Sequence, residues 1–193
     1  MDNIYNRLSE DAIKDGYLNE LLFKLVEINH HQILKEIESS TLSNNEFNHL
    51  LRFADIMSCS DKSEFRNYSL KIISLMYEKY KYNEKYNITA LAIFSKLGSF
   101  FSIDKFLIFD SNFKLPIERN VEANIKKNIQ IVPFNENYIF TDNQFELYKR
   151  ISNSKAFSFS APTSMGKSFI LKSFLYKVME NNPPENIIIM VPS

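Results

Sequence analysis

Only three glycines occur in the 193 residues of this chain. Glycine is the residue that reaches positive φ without steric cost, so a glycine-poor chain has few sites for tight hairpin turns. Prolines are also few, at six, while Leu, Ile, Phe, Lys and Glu are plentiful. This mix disfavours a turn-rich all-β fold and favours helices. It also draws attention to Gly166, which stands directly before Lys167 and Ser168.

Residues 1–110 read as helix after helix. Leu18, Leu21, Leu22, Leu25, Val26 and Ile28 form a helical stripe over residues 17–28. Phe47, Leu50, Leu51, Ala54, Ile56 and Met57 repeat it over 46–57. A longer stripe runs from Phe65 through Tyr68, Ile72, Ile73, Leu75 and Met76 to Tyr80, and another occupies 88–97 and ends at Gly98, a C-cap candidate. Residues 101–109 predict a short helix or an apolar strand. Helices this close together imply a bundle or stacked helical hairpins. The starts near Leu51 and Leu91 are about 40 residues apart, a spacing that helical repeats also use.

From Asp110 the texture changes. Residues 111–140 mix Pro116 with several asparagines and charges, without sustained periodicity, and read as a linker with a candidate strand at 129–132 stopped by Pro133. Thr141-Asp142-Asn143 offers N-cap chemistry for a helix through Gln144, Phe145, Leu147, Tyr148 and Ile151. A short strand is expected at 156–160 and a helix over 167–179, ended before Pro183-Pro184. The run 186–191, apolar on both faces, suits a buried parallel strand. Strand, helix and strand make a βαβ unit, so the fold expected is a mostly α N-terminal domain (1–110) followed through the linker by the beginning of an α/β domain (141–193).

Between the first of those strands and its helix lies Ala161-Pro162-Thr163-Ser164-Met165-Gly166-Lys167-Ser168. It fits the phosphate-binding pattern G-x-x-x-x-G-K-[ST] except at Ala161. Backbone N–H groups at the mouth of a helix, aided by the helix dipole, hold phosphate oxygens. Lys167 is the candidate to neutralise β- and γ-phosphates, and the Ser168 hydroxyl the candidate ligand for ATP-borne Mg²⁺.

These eight residues resemble motif I of superfamily 2 helicases of the DEAD/DEAH-box type. Gln144, 17 residues before Ala161, is similar to the glutamine of that family's Q motif. The run 187–191 with Pro192-Ser193 looks like the start of motif Ia. Ser164 departs from the family's usual Gly. The resemblance covers about residues 130–193 and implies a RecA-like domain that binds ATP and Mg²⁺, with Gln144 reading the adenine edge, and a parent enzyme acting on DNA or RNA. In the family the Asp-Glu box and the arginines of a second RecA-like domain lie far beyond motif I, further than the 25 residues after Ser168. The chain is therefore expected to be the N-terminal part of a helicase, incomplete as an ATPase by itself. Phe134, Tyr138 and Phe140 are candidates either to stack on adenine or to pack beneath the sheet.

Two other readings stand beside this one: a non-enzymatic protein-interaction module carrying a structural phosphate-loop remnant, and another phosphate-loop NTPase of a signalling or defence type. A protein partner on the helical domain is compatible with each. Lys79, Lys81 and Lys85, interleaved with Tyr77, Tyr80, Tyr82 and Tyr86, could stack single-stranded nucleic acid, but a solvated helix end is the simpler expectation. Formal net charge is zero, so the chain as a whole has no basic footprint for nucleic acid. His30, His31 and His49 lack a ligand-spaced partner set for zinc. Cys59 is the only cysteine, no apolar run approaches the ~20 residues of a membrane span, and Met1 to Tyr5 lacks a signal-peptide layout. A cytoplasmic protein without membrane contact is expected.

Overall fold

The computed structural model of the chain describes residues 3–34, 41–107, 115–160 and 165–181. They divide into two compact units, Met1–Ala123 and Asn124–Ser193. The described residues are mostly helical, with one small two-stranded antiparallel sheet.

In the first unit the apolar stripes become α1 (Ile4–Lys14), α2 (Tyr17–Leu34), α3 (Asn44–Ser58), α4 (Ser63–Tyr80), α5 (Glu84–Lys96) and α6 (Phe100–Phe106). The helix-or-strand choice at 101–109 thus falls to helix over its first residues, while 108–109 lie outside the described residues. Local chemistry starts these helices. The Asn3 side chain accepts from Tyr5 N, that of Asn83 from Tyr86 N, and Ser43 with Glu46 closes a full capping box on α3. The expected stop at Gly98 is a Schellman motif. Gly98 has φ 68°, Ser99 N donates to Phe94 O at 2.8 Å, and Gly98 N donates to Ser95 O at 3.3 Å.

The core of this unit lies where α3 meets α4, with α2 and α5 closing its sides. Leu50, Ala54 and Met57 face Ile72, Ile73 and Met76, joined by Leu18, Leu25 and Ile28 of α2 and by Ala90 and Ile93 of α5, all buried. Each large aliphatic side chain so covered contributes roughly 1.5–3 kcal/mol. The small Ala54 lets Ser69 Oγ of α4 donate to its carbonyl at 2.7 Å, fixing the register of the pair. Tyr86 OH donates to Ile73 O at 2.9 Å, and Ser60 Oγ to Asn6 Oδ1 at 2.6 Å. These buried polar groups are therefore satisfied.

A helix, α7 (Ile117–Ile129), runs through the segment read from sequence as a linker. In the second unit its C-terminal end leads into a hairpin of β1 (Ile131–Val132) and β2 (Asn135–Ile139), paired Ile131 to Ile139 and Val132 to Asn135 with an irregularity between. Pro133 ends β1 as expected. Helices α8 (Asp142–Ser152) and α9 (Lys167–Asn181) follow. Val132, Phe140, Tyr148, Ile151 and Ile170 form the buried core. Gln130 ties the pieces together: its carbonyl accepts from Phe140 N at 2.8 Å, and its Nε2 donates to Asp142 Oδ1 at 2.9 Å. Lys126 bonds the same carboxylate at 2.7 Å.

The strand expected at 156–160 is not formed. Those residues are exposed coil, with Phe157 and Phe159 at 39% and 36% exposure. Alternating Phe and Ser gives the right period for a strand, yet a strand needs a ladder neighbour, and no described segment pairs with this one. Its intended partner at 186–191 lies outside the described residues. The only sheet among the described residues is antiparallel, so the parallel βαβ unit is not seen there.

Glu46 gives the first unit an acid-sensitive joint. Lys24 Nζ approaches its two carboxylate oxygens at 2.7 and 2.9 Å, and Ser43 N donates to it at 2.6 Å. The lysine first, then the capping N–H, hold its pKa at about 2 instead of 4.5. A carboxylate depressed in the folded state stabilises fully above its unfolded pKa, and that contribution fades as pH falls toward the folded value. Glu46→Gln should therefore destabilise the chain by about 1–2 kcal/mol at neutral pH. In urea unfolding the gap from wild type should close between about pH 4.5 and about pH 2.

Candidate functional site

The site expected from sequence sits at the start of α9. Residues 161–164 lie outside the described residues, so Ala161, Pro162, Thr163 and Ser164 carry no structural statement. Met165 to Ser168 are described. Ile170 N donates to Gly166 O at 3.1 Å, which makes Gly166 the N-cap and Lys167 the first helical residue. Gly166 has φ 76°, the left-handed conformation that the pattern's glycine is needed for.

A helix leaves its first four N–H groups without intrahelical acceptors. Serine, threonine or aspartate at the N-cap would cover one of them, but glycine has no side chain to do so. The N–H groups of Ser168 and Phe169 therefore form a donor pair at the positive end of the helix dipole, beside the Lys167 side chain. Lys167 is half-buried at its edge and Ser168 is exposed. Donors, one cation and one hydroxyl at a helix mouth match the oxygens and metal of a Mg²⁺-polyphosphate.

Gln144 reaches this point from α8. Thr141 and Gln144 form a capping box: Thr141 N donates to Gln144 Oε1 at 3.0 Å, and Gln144 N to Thr141 Oγ1 at 3.4 Å. The other end of the carboxamide donates from Nε2 to Met165 O at 3.1 Å. One side chain thus starts α8 and grips the peptide that precedes Gly166. A primary amide has two N–H donors and two oxygen lone pairs, so one further donation and one further acceptance remain within its capacity. The pairing of Gln144 with Met165 was not evident from sequence, although Thr141-x-x-Gln144 is itself the capping-box signature.

The aromatic candidates separate clearly. Phe140 is fully buried and stacked on Tyr148, centroids 5.0 Å apart, so its role is packing and it has no face for a base. Phe134 is packed edge-to-face on Phe169 at 5.6 Å, and Lys172 Nζ lies 4.6 Å from its centroid. Tyr138 is 53% exposed and leans on Phe169 at 6.1 Å. Phe169 touches all three of these rings and braces the first turn of α9.

Elsewhere the tyrosine–lysine stretch proves to be a helix end. Tyr86 is core, and Lys81 pairs with Glu78 at 2.9 Å while lying over Tyr77 and Tyr82. His49 Nδ1 bonds Tyr17 OH at 3.0 Å. Among the described residues no three metal-ligating side chains gather, and no helix is long and apolar enough to cross a membrane. The chain matches no protein-family model, no curated protein and no solved structure, so the geometry of the loop carries the functional argument.

A Cβ at Gly166 would lie 3.1 Å from Gln144 Nε2 and would also force an L-residue into positive φ. Gly166→Ala should cost about 1–3 kcal/mol by chemical denaturation. Part of that cost arises from the Gln144 amide, so Gln144→Ala combined with Gly166→Ala should cost less than the sum of the two singles. Strict additivity would show that Gln144 does not grip the loop.

Proposed function

We propose that the loop at 161–168 and the first turn of α9 bind the polyphosphate of ATP together with Mg²⁺, and that the chain is the N-terminal part of a DEAD/DEAH-box-type nucleic-acid helicase. In this reading residues 1–110 are a helical domain, 111–140 a connecting segment, and 141–193 the start of a RecA-like domain. The observation that carries the proposal is Gly166 at positive φ serving as side-chain-free N-cap immediately before Lys167. The N–H groups of Ser168 and Phe169 hold phosphate oxygens, the Lys167 ammonium offsets their charge, and the Ser168 hydroxyl ligates the metal. Gln144 orients the loop through Met165 O, and its remaining donor and acceptor can meet an adenine edge. Residues 1–193 hold nucleotide without turning it over, and DNA or RNA is engaged by the longer enzyme.

A second reading has its own support. The 156–160 segment is exposed coil, and both ends of the Gln144 carboxamide already bond protein. A phosphate-loop protein that reads the phosphates alone, or an interaction module with a vestigial loop, fits those two facts.

Titration with a fluorescent ATP analogue in the presence and absence of Mg²⁺ separates these readings. Wild type should bind saturably, Lys167→Ala should weaken affinity by at least about tenfold, and Ser168→Ala should remove most of the Mg²⁺ dependence. Competition by ATP but not by GTP favours the helicase reading, whereas equal competition favours a loop that ignores the base. Equal affinity in wild type and Lys167→Ala would overturn the phosphate-site assignment.

A further inference from the structure

The first unit carries a groove that the nucleotide reading does not use. It lies open between α3 and α5, bordered by Leu115, Pro116 and Arg119, with a volume of about 310 Å³. That is the small end of the range for ligand sites, room for one or two side chains. Three cations from three different helices stand around it: Arg52 of α3, Lys85 of α5 and Arg119 of α7. Asp55 is the single carboxylate among the described lining residues, and their formal charges (Arg52, Lys85 and Arg119 against Asp55) sum to +2.

The cations are not equally committed. Arg119 Nη1 meets Asp55 Oδ1 at 3.3 Å, a long contact between two partly exposed groups and therefore a weak one. Lys85 Nζ is held by the neutral Asn48 Oδ1 at 2.5 Å. Arg52 is exposed, and no carboxylate pairs with it among the described residues. Between these charges the surface is aliphatic: Ile88 is 37% exposed, and Ala92 and Leu115 lie beside it.

We propose that this groove captures an acidic peptide segment of a partner protein, seating one aliphatic side chain against Ile88 and Ala92 while flanking carboxylates bond Arg52 and Lys85. Charge complementarity selects the partner's sign, because guanidinium and ammonium donors with no paired carboxylate favour an anion. The aliphatic floor selects a peptide over a nucleic acid: no aromatic ring is among the described lining residues, so a base would find no stacking platform on them. Arg52 supplies a planar fork that matches a carboxylate bidentately.

The test uses the full 193-residue chain and a fluorescein-labelled octapeptide, Glu-Glu-Leu-Glu-Glu-Leu-Glu-Glu, read by fluorescence anisotropy. Binding should be saturable at about 50 mM salt and should weaken steeply by about 300 mM. Arg52→Glu should weaken it by at least about tenfold, and replacing every Glu of the peptide by Gln should do the same. Ala92→Trp fills the floor without changing charge and should also weaken binding, with circular dichroism confirming that both variants keep their helices. Equal affinity for the Gln peptide, or wild-type affinity in both variants, would overturn the proposal. So would an oligo-dT strand that binds more tightly than the peptide and loses affinity in Arg52→Glu, since the groove would then be a phosphate-backbone contact.

Discussion

The second unit hinges on one carboxamide. Gln144 closes the capping box that starts α8 and, from its other end, holds the carbonyl of Met165 one residue before the N-cap of α9. Both helix starts in this unit therefore share a side chain. Neither bond is strong alone, since a neutral hydrogen bond contributes about 1 kcal/mol net. Their value lies in geometry. With α8 already packed through Tyr148 and Ile151, the amide is positioned before it meets the loop, and the ordering cost of a long side chain is shared between two contacts. Gly166 completes the arrangement, because any Cβ there would press on the same amide nitrogen. The loop's glycine and the upstream glutamine form one steric unit.

This pairing bears on what Gln144 can do for a nucleotide. A glutamine that reads a base must present an amide in fixed orientation, since a freely rotating one offers donor and acceptor in either order. The Thr141 N–H fixes the oxygen and the Met165 carbonyl fixes the nitrogen, so the orientation is set by the protein itself. The same bonds make the amide sensitive to the loop. Movement of the Met165 peptide changes the partner of Nε2, and the start of α8 feels it through Oε1.

How much of this was legible in the sequence depends on how local the signal is. The stripes at Leu50, Ala54 and Met57 and at Ile72, Ile73 and Met76 became the main helix pair because burial and period agree. Gly98 became a Schellman stop, and of the cap candidates Thr141-Asp142-Asn143 the first became the N-cap, because each needs only its neighbours. Helix α7 was missed for the converse reason. Ile117, Val121, Ile125 and Ile129 recur every four residues, but asparagines and charges separate them, and no residue of α7 is buried. A reading built on burial gives such a segment little weight. The strand read at 156–160 failed on the non-local term: Phe157 and Phe159 have strand period, but pairing is decided by a neighbour that the local pattern does not contain.

That failure bears on the site as well. In a phosphate loop set between strand and helix, the strand fixes where the loop leaves the sheet and the helix fixes where the phosphates bind. Here the described anchoring comes from the helical side alone. Phe169 wedges among Phe134, Tyr138 and Phe140, Ile170 is fully buried, and Gln144 holds Met165. The backbone donors of Ser168 and Phe169 are thus set by α9, which packs independently of any strand at 156–160. Sheet formation on the upstream side would bear on residues 161–164, which end two residues before the Lys167–Ser168 pair, so the proposed phosphate contacts and the path of the chain into them are separable properties of this unit. It follows that phosphate affinity should depend on Gly166 and Lys167 far more than on Phe157 or Phe159, whose rings lie 5.8 Å apart at the surface.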